Sequence, residues 1–220
     1  MLPDSLLLNN YEILHDNHKT LCFVGLSRLS KSCYELMRRY RVSEIFPVEH
    51  VVQQNTDWFQ QRQFIVISSD VRFKQDCVAK MPNAHFFSMI SKSNYFNSTV
   101  RIGQGTWVST FNSFEIGLVI VGDHCCIHTH NTFGHGCFIG DYCNIGHWGF
   151  YSNCDVGKGT VMGVKTFLTN PDTTSDMPIK IAPYCNIMSE SRITRDIAQS
   201  GTYYHSRKLN DHTSLQHRIL

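Results

Sequence analysis

From Val100 onward apolar residues return every sixth position, and this period leaves the chain very few folds. The series runs Ile102, Val108, Phe114, then Val121, Ile127, Phe133, Ile139, Ile145, then Val156, Met162, Leu168, and finally Ile181, Ile187, Ile193. An amphipathic helix repeats its apolar stripe every three or four residues, and a half-buried strand every two. A single buried strand ends after a handful of residues. Period six, kept through four registers, fits a coil of short strands stacked on itself.

The rest of the repeat supports the coil. Glycine often follows the apolar residue, at Gly103, Gly122, Gly134, Gly140, Gly146, Gly157 and Gly163, which suits a tight corner. The fourth residue after the apolar one is small: Thr106, Asn112, Cys125, Asn131, Cys137, Cys143, Gly149, Thr160, Thr166, Cys185 and Ser191. With Phe150 as the apolar residue of its own repeat, Cys154 joins this slot, so five of the nine cysteines read as small buried residues. No two cysteines form a C-x-x-C pair, so neither a disulfide framework nor a zinc ribbon is indicated. Phase slips near Ile120 and Phe150 mark bulges or corner insertions, and Thr169–Lys180 (TNPDTTSDMPIK) reads as a polar loop extruded from a corner. Such loops commonly close over a ligand groove.

Ahead of the coil the pattern is different. Lys19–Gly25 (KTLCFVG) is an apolar run ending in glycine, followed by the helix-compatible Ser30–Tyr40. Phe64–Ile67 is a second strand candidate, the polar stretch through Lys80 a second helix, and His85–Met89 a third strand. The expectation is a small α/β domain with a parallel sheet. The chain then divides into an N-terminal extension (1–18), an α/β domain (19–97), an all-β coil (98–202) and a C-terminal tail (203–220).

A net charge of +2 without a Lys/Arg block offers no footprint for nucleic acid. No apolar run approaches the roughly 20 residues of a membrane span. Met1–Asn10 carries Asp4 and lacks a basic n-region before Leu6–Leu8, so a cytoplasmic location is expected.

An α/β domain followed by a hexapeptide coil resembles the left-handed β-helix acyltransferases. Within them it is most similar to the sialic acid O-acetyltransferase and sugar-4-amine N-acetyltransferase group, the NeuD and PglD type, over Lys19–Gly201. The left-handed sense comes from the resemblance, because general chirality rules favour a right-handed crossover. The resemblance implies a homotrimer that uses acetyl-CoA, without a metal, to acetylate an amine or hydroxyl of a sugar, nucleotide-linked, in glycan biosynthesis.

Five of the twelve histidines, His124, His128, His130, His135 and His147, crowd one stretch of coil. His135, in Phe133-Gly-His-Gly-Cys-Phe-Ile-Gly-Asp141, matches the family's general base. Imidazole titrates near neutrality and suits proton removal from an attacking amine or hydroxyl. The family places an acidic residue beside this histidine, whereas here both neighbours are glycine, leaving Asp141 and Glu115 as candidate partners. The resemblance further implies that Asn144, Val164 and Ser189 line the acetyl-CoA groove. It also implies a sugar-nucleotide site at the turn Val24-Gly-Leu-Ser-Arg-Leu-Ser30, where one glycine remains of several and Ser27, Arg28 and Ser68 are the polar candidates.

Two other readings are open. His130 and His135, five apart, resemble the paired zinc ligands of γ-class carbonic anhydrase. Open catalytic zinc needs three protein ligands, and no histidine lies between His85 and His124 to supply the upstream one. The missing acidic neighbour and the eroded glycine turn also fit a catalytically inactive binding module.

Overall fold

A computed structural model describes residues 11–14, 19–37, 43–115, 117–170 and 177–209. The Met1–Asn10 segment, half of the 169–180 loop (171–176) and the tail beyond 209 lie outside the described residues.

The α/β domain contains β2 (Thr20–Val24), α1 (Arg28–Met37), β3 (Ser43–Phe46), α2 (Val48–Val51), α3 (Thr56–Gln60), β4 (Arg62–Val66) and α4 (Val71–Ala79), with β1 (Tyr11–Leu14) ahead of it. Its three strands are parallel in the order β3-β2-β4. Side chains alternate between the two faces, as a pleated strand requires. Cys22, Val24, Phe64 and Val66 pack with Val48, Val51, Phe59, Cys77 and Met81. Leu21, Phe23, Ile65 and Ile67 cluster instead with Trp107 and Cys126 of the coil. The third strand is β3, which no apolar run announces. The expected strand at His85–Met89 makes only the bridge Phe64↔Phe86 before the chain crosses into the coil.

The coil begins at β5 (Ser88–Ser91), ahead of the first six-residue repeat, because Met89 and Ile90 already pair with Trp107 and Val108. β1 adds to β5 in antiparallel fashion, and the strand Arg207–Lys208 folds antiparallel onto Gly201–Tyr204 at the far end. Three parallel ladders form the faces. On the first stand Trp107, Cys126, Asn144, Val161 and Asn186, and on the second Val100, Val119, Cys137, Cys154 and Ile179. The third carries Tyr95, Ser113, Thr132, Phe150, Phe167 and Arg192.

All variation in coil length falls at one corner. Successive positions of the second-face column are 19, 18, 17 and 25 residues apart. The steps from second face to first, and from first to third, do not change. The extra residue lies before Val119, the missing one before Cys154, and the loop before Ile179, so both phase slips and the loop sit between the third and second faces.

Two details of the repeat differ from expectation. Tyr151, not Phe150, takes the inward position, in register with Phe133 and Leu168. Its coil is one residue short, and its ring fits because a Cβ on Gly149 would meet it at 2.5 Å. The seven glycines after the apolar residues do not supply the corners' left-handed backbone. They are needed where one coil approaches the next: a Cβ on Gly140 would lie 2.7 Å from the Lys158 nitrogen, and one on Gly146 2.8 Å from the Gly163 carbonyl carbon. The left-handed residues stand elsewhere in the corner, as at Tyr142 (φ 60°), Trp148 (φ 62°) and Gly136 (φ 65°).

The small slot is buried as expected, and at one corner it has a common hydrogen-bonding role. Thr106 Oγ1, Cys125 Sγ, Cys143 Sγ, Thr160 Oγ1 and Cys185 Sγ donate to the carbonyls of Gly122, Gly140, Gly157, Ala182 and Gln199 on the following coil. Thiol and hydroxyl are interchangeable there because both are small donors.

Lys74 of α4 fastens the two parts together. Its side chain is fully buried, and Nζ donates to the His124 carbonyl at 3.0 Å and to Asn144 Oδ1 at 2.7 Å. Asn144 Nδ2 donates in turn to the Ser69 carbonyl at 2.6 Å. Beside this junction His124 lies against Phe86 and Tyr142.

Two predictions follow from this packing. Cys143→Phe should cost on the order of 1–3 kcal/mol or more by overpacking, while Cys143→Ser should stay close to wild type, both read from denaturant melts. Burial pushes the imidazoles of His124 and His128 down to about 4. Their folded pKa lies below the unfolded value of 6.5, so stability is complete above pH 6.5 and falls as pH drops toward 4. Melting temperature followed across that window should decline, and less steeply in His124→Gln.

Candidate active site

His135 occupies the variable corner, between Phe133 on the third face and Cys137 on the second. Its backbone is held on both sides, since the Gly134 N–H donates to the Tyr151 carbonyl and the His135 carbonyl accepts from the Asn153 N–H at 2.8 Å. Gly136 supplies the left-handed step at φ 65°. On the preceding coil Gly117, at φ 91°, runs so close that a Cβ there would lie 2.9 Å from the Cβ of His135. His135 itself is exposed. The corner therefore fixes the backbone of the histidine and leaves its side chain accessible to solvent.

The two candidate carboxylates separate. Asp141 belongs to the next corner, where Oδ1 accepts the N–H of Asp123 at 2.9 Å. Glu115 shares the corner with His135. Its N–H donates to the Phe133 carbonyl at 2.8 Å, which places it beside Gly134, and its exposed carboxylate accepts from Ser113 Oγ at 3.4 Å.

The other histidines lie away from this corner. His130 stacks on Trp148 at 4.1 Å and lies 5.2 Å from Phe111, with Nδ1 2.9 Å from Thr129 Oγ1. His147 Nδ1 is 3.2 Å from the same hydroxyl, and its ring lies 4.6 Å from His128. His130 and His135 thus stand on successive corners, separated by the strand Thr132–Phe133. Among the described residues no three His, Cys, Asp or Glu side chains converge as metal ligands.

Of the three residues expected at an acetyl-CoA groove, two meet. The Val164 N–H donates to Ser189 Oγ at 3.2 Å, and both residues are exposed on adjacent coils of one corner. Asn144 stands apart: it is 4% exposed, and its amide is engaged by Lys74 and Ser69. It fastens the domains and has no amide group facing outward. The position on its coil that stacks with Val164 and Ser189 is His147.

In the α/β domain the expected substrate residues gather at one end of the sheet. Gly25, at φ 91°, turns under the Phe73 ring, which a Cβ would meet at 2.9 Å. Ser27 Oγ donates to the Ile67 carbonyl at 2.9 Å and accepts the Ser30 N–H at 3.0 Å, capping α1. Ser68 is buried, with Oγ accepting the Asp70 N–H at 3.1 Å. Both serines tie the loops after β2 and β4, where strand order reverses and open α/β sheets bind ligands. Arg28 is free of that role and lines a cavity of about 590 Å³ with Leu26, Lys31, Ser32 and Glu35. Lys31, one helical turn on, is a cation that the turn motif did not single out.

No protein-family model matches the sequence, and no curated protein matches it significantly. Solved structures do match. WeeI from Acinetobacter baumannii AYE superposes with a TM-score of 0.72 at 14% identity, covering 87% of this chain and 100% of its own. The acetyltransferase domain of PglB from Neisseria gonorrhoeae FA1090 gives 0.70 at 14% identity, covering 84% and 95%. A mutant of perosamine N-acetyltransferase from Caulobacter crescentus, solved with CoA and GDP-perosamine, gives 0.71 at 16% identity, covering 87% and 97%. The likeness extends over both parts of the chain, and the fold is a small α/β domain leading into a left-handed parallel β-helix.

Proposed function

We propose that this protein is an acetyl-CoA-dependent acetyltransferase that modifies an amine or hydroxyl of a nucleotide-linked sugar, with His135 as general base. The observation that carries the reading is the likeness, over 84% and 87% of the chain, to an acetyltransferase domain and to a perosamine N-acetyltransferase, the latter solved with CoA and GDP-perosamine. The exposed imidazole on a braced corner supports it.

The chemistry asks little beyond position and a base. As the acceptor nitrogen or oxygen attacks the thioester carbonyl, His135 takes its proton; when the carbon–sulfur bond breaks, the imidazolium returns that proton to the leaving thiolate. Glu115 is the carboxylate on the same corner. The cavity at Arg28 and Lys31 offers two cations to a sugar nucleotide's diphosphate, in place of the glycines this turn lacks. Val164 and Ser189 mark the corner along which we place the acetyl-CoA. The active unit is a homotrimer acting in the cytoplasm, with the cofactor groove completed by a neighbouring subunit.

Three outcomes are expected. His135→Ala lowers kcat by about 10²- to 10⁴-fold, while acetyl-CoA still raises the melting temperature as in wild type; full activity in this variant removes the mechanism. Light scattering at micromolar concentration gives three times the 25.3 kDa chain mass, and a monomer mass contradicts the shared groove. Gly117→Ala, strained at φ 91° and in contact with His135, lowers both stability and kcat. An unchanged kcat there would mean that the corner does not position the base.

A further inference from the structure

We infer that Lys74 and Cys126 form a redox-sensitive modification site, where dioxygen joins the lysine nitrogen to the cysteine sulfur through one oxygen atom. The two residues meet where the α/β domain sits on the coil. Lys74 belongs to α4, and Cys126 to the strand Cys126–Ile127 on the first face. Lys74 is 0% exposed and Cys126 1%. Lys74 Nζ donates to Cys126 Sγ at 3.6 Å, and Sγ donates in turn to the Ser68 carbonyl at 3.6 Å. The thiol hydrogen thus points away from Lys74, and a sulfur lone pair faces the nitrogen. The other partners of Nζ are the His124 carbonyl and Asn144 Oδ1, so none of the groups that receive its hydrogen bonds is a carboxylate. Burying a charge without an opposite one beside it is expensive. A nitrogen bonded to oxygen is a far weaker base than an amine. The bridge therefore replaces a buried cation with a neutral group that keeps one N–H to donate.

The proton that makes the amine an ammonium goes to solvent. One N–H bond and the S–H bond then break, and an N–O and an O–S bond form. One atom of dioxygen stays in the bridge, and the other leaves as water with the two hydrogens. Nitrogen and sulfur are each oxidised by two electrons, and dioxygen takes up all four. A thiol reductant reverses the step and returns amine, thiol and water. Dioxygen is small and uncharged, so burial that keeps charged reagents out does not exclude it. The bridge ties residues 52 apart in the chain, and a cross-link of that span stabilises the folded state by restricting the unfolded one. Oxidation thus locks the α/β domain onto the coil.

Peptide mapping of the full chain tests the bridge without any assay of turnover, so its outcome is independent of the acetyl-transfer reading. Protein prepared reduced and free of oxygen, then exposed to dioxygen, should gain the mass of one oxygen less two hydrogens. Trypsin should no longer cut after Lys74, and the peptide that carries it should be joined to the peptide of Cys126. Dithiothreitol should remove both the added mass and the link, and should lower the melting temperature to that of protein never oxidised. Lys74→Met and Cys126→Ser should gain no such mass. The mapping is read on wild type, so it decides the matter even where a variant fails to fold. Normal cleavage after Lys74 in the oxidised protein overturns the inference. That holds whether Cys126 stays a thiol, takes up oxygen alone as a sulfenic or sulfinic acid, or pairs with Cys33 of the same cluster as a disulfide. The same mass gain in Cys126→Ser overturns it as well.

Discussion

Each coil hydrogen-bonds the next through main-chain ladders, and the rest of the molecule depends on that stacking. Adjacent strands in a sheet lie about 4.8 Å apart, so every position on one coil is repeated directly above and below. The spacing leaves no room for a Cβ at Gly140 or Gly146. It also aligns the small slot, so that one thiol or hydroxyl after another reaches the carbonyl of the following coil. Most of the stability therefore comes from repetition of one local solution, and a change at one position is felt by its neighbours above and below.

The same geometry explains where the chain can carry chemistry. Two of the three corners keep constant length, which locks their residues in register. The third gains a residue, loses one and then extrudes a loop, all without disturbing the ladders on either side. His135 stands on that corner, with Gly117 closely packed on one side and the Asn153 N–H on the other. A rigid backbone with an accessible side chain is what a general base needs, because proton transfer demands both reach and a fixed geometry.

Much of the fold was legible in the sequence, because period six has few physical solutions and each buried position repeats it. The α/β opening was visible from β2 and β4, whose runs are apolar on both faces. β3 was not, since Ser43–Phe46 is half-buried throughout and mixes polar with apolar residues. A fixed period of six points to Phe150 as the inward residue, because it hides a coil one residue short, in which Tyr151 takes that place. Of the candidate site, the exposed corner position of His135 and the turn at Gly25 are legible in local sequence. Asn144 could not be separated from Val164 and Ser189, because its partner Lys74 is 70 residues away.

The account rests on acetyl transfer to a sugar, and thiol release measures it most directly. Purified protein supplied with acetyl-CoA and a panel of nucleotide-linked amino sugars should release free CoA thiol only when the right acceptor is present. One acetyl group should appear on that sugar for each thiol released. Release at the same rate without acceptor, or no acetylated sugar from folded protein that binds acetyl-CoA, would contradict it.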